Sequence, residues 1–133
     1  MNYTIGNNLR EVPEDWEEFE KGIISLEEKL ANTKTNLEKT QYLSKLGTLN
    51  RIVGRLEISF KQLTDTQLII RNLDNEKLYI VNEIRLATTL QFQGKFEAAE
   101  QIHTALAMSS PNYELWILNE WMILNRILFF IDN

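Results

Sequence analysis

Residues 46–57, LGTLNRIVGRLE, return forty positions later as residues 86–97, LATTLQFQGKFE. Both stretches begin with a leucine, a small residue and a threonine, and both end in glycine, a basic residue, an apolar residue and glutamate. One further step of forty back from Leu56-Glu57 reaches Trp16-Glu17. Agreement of several positions at one offset, each at the same place on a predicted helix, indicates an internal repeat. A helical unit of this length cannot bury both of its faces alone, so we expect neighbouring units to stack.

The composition favours an all-α fold. The 133 residues include 5 Gly and 2 Pro, roughly a twentieth of the chain, which is about half the usual share. Sandwiches, barrels and disulfide scaffolds need more turn residues than this. The chain has no Cys and a single His, which excludes thiolate zinc sites, Cys nucleophiles and two-His metal motifs. We therefore predict a single all-α domain over residues 1–133, with no metal and no cofactor.

Apolar residues at helical spacing predict about six helices that form antiparallel hairpins with short connections. An N-terminal flanking helix belongs to residues 1–33, and Pro13 is predicted to lie in its first turn. Two hairpins occupy residues 34–111, and Asp74 is the predicted N-cap of the fourth helix. An apolar helix occupies residues 112–133.

Small residues recur at two kinds of position. Gly54 and Gly94 are predicted to end helices, because glycine accepts the left-handed conformation at no steric cost. Other small residues are predicted where the helices of a hairpin cross closely, since a bulky side chain would push the backbones apart. These residues are Gly47, Ser59, Ala87 and Ala99.

The second unit, residues 80–111, carries Leu86, Ala87, Ala99 and Pro111 at a spacing that resembles the tetratricopeptide repeat. The period is 40 rather than 34 residues, which is similar to the variant in kinesin light chains and many bacterial tetratricopeptide proteins. The resemblance covers about residues 37–111 and implies hairpins stacked as a short superhelix. The positions that depart from the repeat consensus are Glu83, Leu90 and His103.

The resemblance also implies a binding surface, namely the concave groove lined by the first helix of each hairpin. Arg51 and Arg85 would there meet carboxylates or carbonyl groups of an extended peptide. The alternative is that the groove positions are merely solvated. Carried over position by position, the groove residues are Gln41, Ser44, Lys45, Thr48, Arg51, Val81, Ile84, Arg85, Thr88 and Gln91.

The C-terminal segment is apolar on nearly all sides, which is typical of a helix buried on more than one side. Such a helix either packs deeply into its own chain or meets another chain. Trp116, Trp121 and Phe129 are the candidate anchors of a homo-oligomer or partner interface. The segment is close to transmembrane length, but Glu114, Asn119, Glu120, Asn125 and Arg126 interrupt it, so we predict no membrane partner.

The charge and the motifs narrow the function. The 14 basic and 19 acidic residues give a net charge of −5, and no basic cluster is present, so we predict no nucleic-acid partner. The first twenty residues lack the features of a secretory signal, and we predict a cytoplasmic protein. No phosphate loop, nucleophile elbow or metal-binding helix motif occurs, and His103 is expected to be packed and hydrogen-bonded. The chain is therefore not predicted to be an enzyme.

Two hypotheses for the function remain. The first is a non-catalytic protein–protein interaction module that binds a peptide or protein through the concave groove, the apolar C-terminal helix or both. The alternative is a dedicated inhibitor or immunity-type protein that neutralises one protein partner. A neighbouring toxin gene would favour the alternative.

Overall fold

The structure of the protein is a computed structural model, and it describes residues 2–6 and 10–117. The prediction of an all-α fold is confirmed for these ranges, apart from a short antiparallel ribbon near the N-terminus that the sequence analysis did not predict. No helix in the two ranges combines the length and the hydropathy required to cross a bilayer. The elements are β1 (Tyr3–Ile5), β2 (Glu11–Pro13), α1 (Trp16–Ala31), α2 (Asn36–Ile52), α3 (Leu56–Ile70), α4 (Glu76–Phe92), α5 (Phe96–Ser109) and a further helical segment over residues 113–117.

The forty-residue repeat governs where the helices begin and end. Helices α2 and α4 span residues 36–52 and 76–92, while α1, α3 and α5 begin at residues 16, 56 and 96. Even the capping is repeated, because the side chains of Thr35 and Asn75 each accept a hydrogen bond from a backbone N–H three residues later. Equivalent local sequence therefore starts each equivalent helix in the same way.

The turn inside each hairpin is the same Schellman motif. Gly54 and Gly94 have φ angles of +90° and +80°. The N–H of Gly54 donates to the carbonyl of Arg51 at 3.0 Å, and the next N–H donates to the carbonyl of Asn50 at 2.8 Å. The equivalent two bonds forty residues later have the same lengths. Glycine is required here because its φ is positive, and the predicted role of both glycines is confirmed.

Consecutive helices pack in order from α1 to α5, and α2 also contacts α4 directly. One apolar cluster joins α3, α4 and α5, and a second joins α4 and α5 to residues 113–117. The second hairpin thus lies between the first hairpin and the start of the C-terminal segment. The buried members are Leu63, Leu86, Ala87, Leu90 and Ala99 in the first cluster, and Ile80, Ile84, Leu106 and Ile117 in the second.

Helices α2 and α3 pack closely at Gly47. A Cβ atom at this position would lie 2.5 Å from Cγ of Leu63, a side chain that is itself fully buried. Ser59, Ala87 and Ala99 are buried as well. The small residues thus occupy enclosed positions, and the predicted close crossing is confirmed at Gly47.

Two predicted helix starts are wrong. Pro13 ends β2 instead of lying in a first helical turn, and Asp15 caps α1 by accepting two backbone N–H groups at 3.0 Å and 3.2 Å. Asn75, not Asp74, caps α4. A cap acts from the residue directly before the helix, and the forty-residue register from Thr35 selects Asn75.

Gly47→Ala is expected to destabilise the fold, because the new methyl group meets the enclosed Leu63 side chain. Overpacking of this kind costs about 1–3 kcal/mol, which exceeds the gain of up to about 1 kcal/mol in helix propensity. Urea denaturation measures the free energy of unfolding of each variant. The double variant Gly47→Ala/Leu63→Ala should also be measured. Its loss in the free energy of unfolding should be about 1 kcal/mol smaller than the sum of the losses of the two single variants. Strict additivity would contradict the close crossing.

Candidate functional site

Helices α2 and α4, the first helices of the two hairpins, lie side by side and run parallel. Nη1 of Arg85 donates to Oγ of Ser44 at 2.9 Å, across 41 residues of sequence. The guanidinium carbon of Arg51 lies 5.6 Å from the ring centroid of Phe92, at the same separation in sequence. The two contacts are about two helical turns apart along each helix. Residues one position away from the forty-residue register therefore meet along one surface of the two hairpins.

We call this surface the α2–α4 face, and it contains six of the predicted groove residues. Their side chains are exposed at Gln41, Lys45 and Gln91, and half-buried at Thr48, Arg85 and Thr88. Thr48 and Thr88 each turn their hydroxyl back onto the carbonyl four residues earlier, at 3.4 Å and 2.9 Å. The exposed groups of the face are therefore two amides and one ammonium.

The remaining predicted groove residues are buried, which corrects their expected exposure. Ser44 is fully buried and receives the hydrogen bond from Arg85, while Ile84 belongs to the apolar cluster of α4 and α5. Val81 is 8% exposed and Arg51 is also 8% exposed. Position along the helix therefore did not predict burial, because Ser44 and Arg51 lie against α4 but are covered, and Ile84 packs towards α5.

The covered Arg51 forms an ion pair with Glu11 of β2. Its Nη1 and Nη2 donate to Oε1 and Oε2 of Glu11 at 2.8 Å and 2.9 Å. The Arg51 side chain is 9% exposed and the Glu11 side chain 7%, and the guanidinium also faces the ring of Phe92. A planar fork of donors with an aromatic neighbour is a geometry by which arginine holds a carboxylate specifically.

The carboxylate at this site is presented by an extended backbone. Glu11 and Pro13 are buried and Val12 between them is half-buried, as expected for a strand whose alternate side chains point to opposite faces. The strand β2 packs mainly against α2 among the helices. The Arg10 side chain reaches the turn after α2, where a Cβ atom on Gly54 would lie 2.7 Å from its Nη2. An extended segment thus lies at the turn end of α2.

A second polar cluster lies between α3 and α4. The carboxylate of Glu83 is buried and accepts a hydrogen bond from Nε2 of Gln67 at 2.7 Å. Burial raises the pKa of Glu83, although the Gln67 hydrogen bond and the charge of Arg71 act in the opposite direction. Burial also raises the pKa of Tyr79, and the Glu83 charge adds to this effect.

Among the described residues, no group of three or more His, Cys, Asp or Glu side chains is placed to hold a metal ion.

His103 lies between α5 and residues 113–117. Its Nδ1 is 2.8 Å from the hydroxyl oxygen of Tyr113, and the two rings are 6.0 Å apart at a tilt of 59°. Burial lowers the pKa of His103, which favours the neutral imidazole near pH 7. The expectation of a packed, hydrogen-bonded histidine is confirmed.

The start of the apolar C-terminal segment packs against its own chain. Trp116 is half-buried, with the Nζ atom of Lys77 4.9 Å from its ring centroid, and Ile117 joins the core of α4 and α5. Trp121 and Phe129, the other two predicted anchors, lie outside the described residues. The role of Trp116 in an interface between chains stays a prediction.

Comparisons of the chain with models of known protein families, with curated proteins and with solved structures found no match.

Glu83→Gln is expected to raise the free energy of unfolding at pH 7. The pKa of Glu83 is raised in the folded state, which means that ionisation of Glu83 destabilises the fold. The free energy of unfolding of the native protein therefore falls as the pH rises through that pKa, whereas the variant stays neutral. The amide oxygen of the variant can still accept the Gln67 hydrogen bond. The advantage of the variant should therefore shrink as the pH falls through the raised pKa of Glu83, and it should be nearly absent below the ordinary glutamate value of 4.5.

Urea unfolding at pH 4 and pH 7 measures this difference. Glu100→Gln, the same change at an exposed position of α5, serves as the matched control and should leave the stability nearly unchanged at both pH values. A Glu83→Gln protein less stable than the native protein at pH 7 would show that the ionised carboxylate stabilises the fold instead.

Proposed function

We propose that this protein is a non-catalytic protein–protein interaction module of the tetratricopeptide type, which binds an extended segment of a protein partner on the α2–α4 face. The observation that carries the proposal is the parallel alignment of two equivalent helices through the Ser44–Arg85 and Arg51–Phe92 contacts. Each helix has 17 residues and is therefore about 25 Å long. This length matches about seven or eight residues of an extended peptide.

The side chains of the face favour a peptide over other ligands. Gln41 and Gln91 are exposed amides, each able to donate to a carbonyl and to accept from an N–H of a passing backbone. Lys45 and Arg85 add positive charge to a chain whose net charge is −5. We therefore expect the partner segment to be acidic, since complementary charge steers association and fixes orientation.

The perturbed titratable groups support binding over catalysis. Glu83 is held by Gln67, and His103 lies against Tyr113, so both side chains connect one helical element to another. We place the protein in the cytoplasm, with a protein or peptide as its partner in preference to nucleic acid or a membrane. Association of chains through Trp116, Trp121 and Phe129 is compatible with this proposal.

Lys45→Glu is expected to weaken retention of the partner by roughly tenfold, which corresponds to about 1.4 kcal/mol of binding free energy. The physical reason is that the exchange places a negative charge on the α2–α4 face, opposite an acidic segment. The measurement is affinity capture from the native cell with the tagged full chain, followed by mass spectrometry and quantification of the retained protein.

The matched control is Lys39→Glu, which makes the same charge change at an exposed position of the same helix. Position 39 lies about 240° around α2 from position 45, away from the α2–α4 face. Both variants should keep the circular dichroism spectrum of the native protein. Retention that falls with Lys39→Glu but not with Lys45→Glu would place the partner on another surface.

A further inference from the structure

The buried Glu11–Arg51 pair is a carboxylate site occupied by a segment of the same chain. We propose that β2 is an internal ligand of this site, and that the site takes an extended acidic segment of a partner protein in exchange for β2. The inference rests on the proposed function, because it identifies the chemistry of the segment that the α2–α4 face binds.

The repeat shows that the helical hairpin does not require a buried arginine at this position. The residue forty positions after Arg51 is Gln91, which lies in the last turn of the equivalent helix, carries no charge and is exposed. Taking a guanidinium and a carboxylate out of water is costly unless both are fully satisfied. The second hairpin forms the same turn without such a pair. Arg51 therefore departs from the repeat, and its role is to hold the extended segment that lies on it.

The geometry of β2 defines the segment that fits. Arg51 selects a carboxylate through two parallel hydrogen bonds, and the ring of Phe92 faces the guanidinium. The next inward residue of an extended chain is two positions later, where β2 places the buried Pro13. The matching partner segment is therefore extended, with an acidic residue followed two positions later by proline or a compact apolar residue.

The ribbon is built in a way that permits exchange. A two-stranded ribbon with three residues in each strand is marginally stable by itself, and β2 has α2 as its main helical neighbour. Two backbone hydrogen bonds flank the paired strands and join the ribbon only to itself. The N–H of Glu14 donates to the carbonyl of Asn2 at 3.1 Å, and the N–H of Gly6 donates to the carbonyl of Arg10 at 2.7 Å. Residues 14 and 15 separate β2 from α1, so the ribbon can leave α2 while Asp15 continues to cap α1.

The test uses the full chain and a fluorescent synthetic peptide with the sequence of residues 10–15, Arg-Glu-Val-Pro-Glu-Asp. Fluorescence anisotropy measures its affinity for the native protein and for the Glu11→Gln variant. The variant should bind the peptide at least about tenfold more tightly, because apparent affinity rises with the fraction of molecules whose site is open. A peptide with glutamine in place of its first glutamate should not bind.

Two further variants make the result specific. Glu14→Gln, the same change at an exposed position beside β2, should bind the peptide like the native protein. Glu11→Asp shortens the internal carboxylate but keeps its charge, and it should give a smaller gain in affinity. This variant tests the inference if Glu11→Gln does not fold. Adding Arg51→Gln to the Glu11→Gln or the Glu11→Asp variant should abolish peptide binding.

Equal affinity of the native and Glu11 variants, or no binding to them at peptide concentrations up to about 1 mM, would overturn the inference. Partner retention that is sensitive to Lys45→Glu, together with peptide binding that is insensitive to Glu11, would leave the proposed function standing and remove the exchange. Partner retention that is insensitive to Lys45→Glu, together with peptide binding that depends on Glu11, would support the carboxylate site and contradict binding across the broader α2–α4 face.

Discussion

The left-handed turn at Gly54, repeated at Gly94, is the constraint on which the rest of the fold depends. Each turn uses a positive φ and the same two hydrogen bonds to reverse the chain. Because the turns are equivalent and the first helices of the two hairpins, α2 and α4, have equal lengths, the second hairpin repeats the course of the first. The parallel contact of α2 with α4 follows from this repetition, and with it the surface that the proposed function uses.

Polar side chains fix how the second hairpin lies on the first. Across the contact between α3 and α4, Oγ of Ser59 is 2.8 Å from Oγ1 of Thr89, and Nδ2 of Asn82 donates to the carbonyl of Leu63 at 3.0 Å. These side chains are fully buried. Apolar contact alone would tolerate sliding of one hairpin on the other, whereas hydrogen bonds of fixed geometry favour one register. The apolar clusters supply burial, and the polar contacts supply the register.

The repeat made most of the helix boundaries predictable, since one sequence offset accounts for the starts of α1, α3 and α5. The ribbon could not be predicted in the same way, because strands of three residues are too short to show an alternating pattern. Pro13 before acidic residues fits a helix start as well as a strand end. The exposure of Lys45 was predictable from its position on α2. The burial of Arg51, also a predicted groove residue, was not predictable, because its partner Glu11 comes from the ribbon.

The place of the ribbon in the repeat has a consequence for assembly. The forty-residue register assigns the residues up to position 12 to the first helix of a preceding unit, yet the described residues there form a ribbon. An array of helical repeats grows when one unit offers a helical surface onto which the next can stack. With a strand lying on α2 in place of a helix, that end of the array lacks the matching shape for the hairpins of a second copy. A ribbon in this position would therefore disfavour head-to-tail stacking of a second copy through this end.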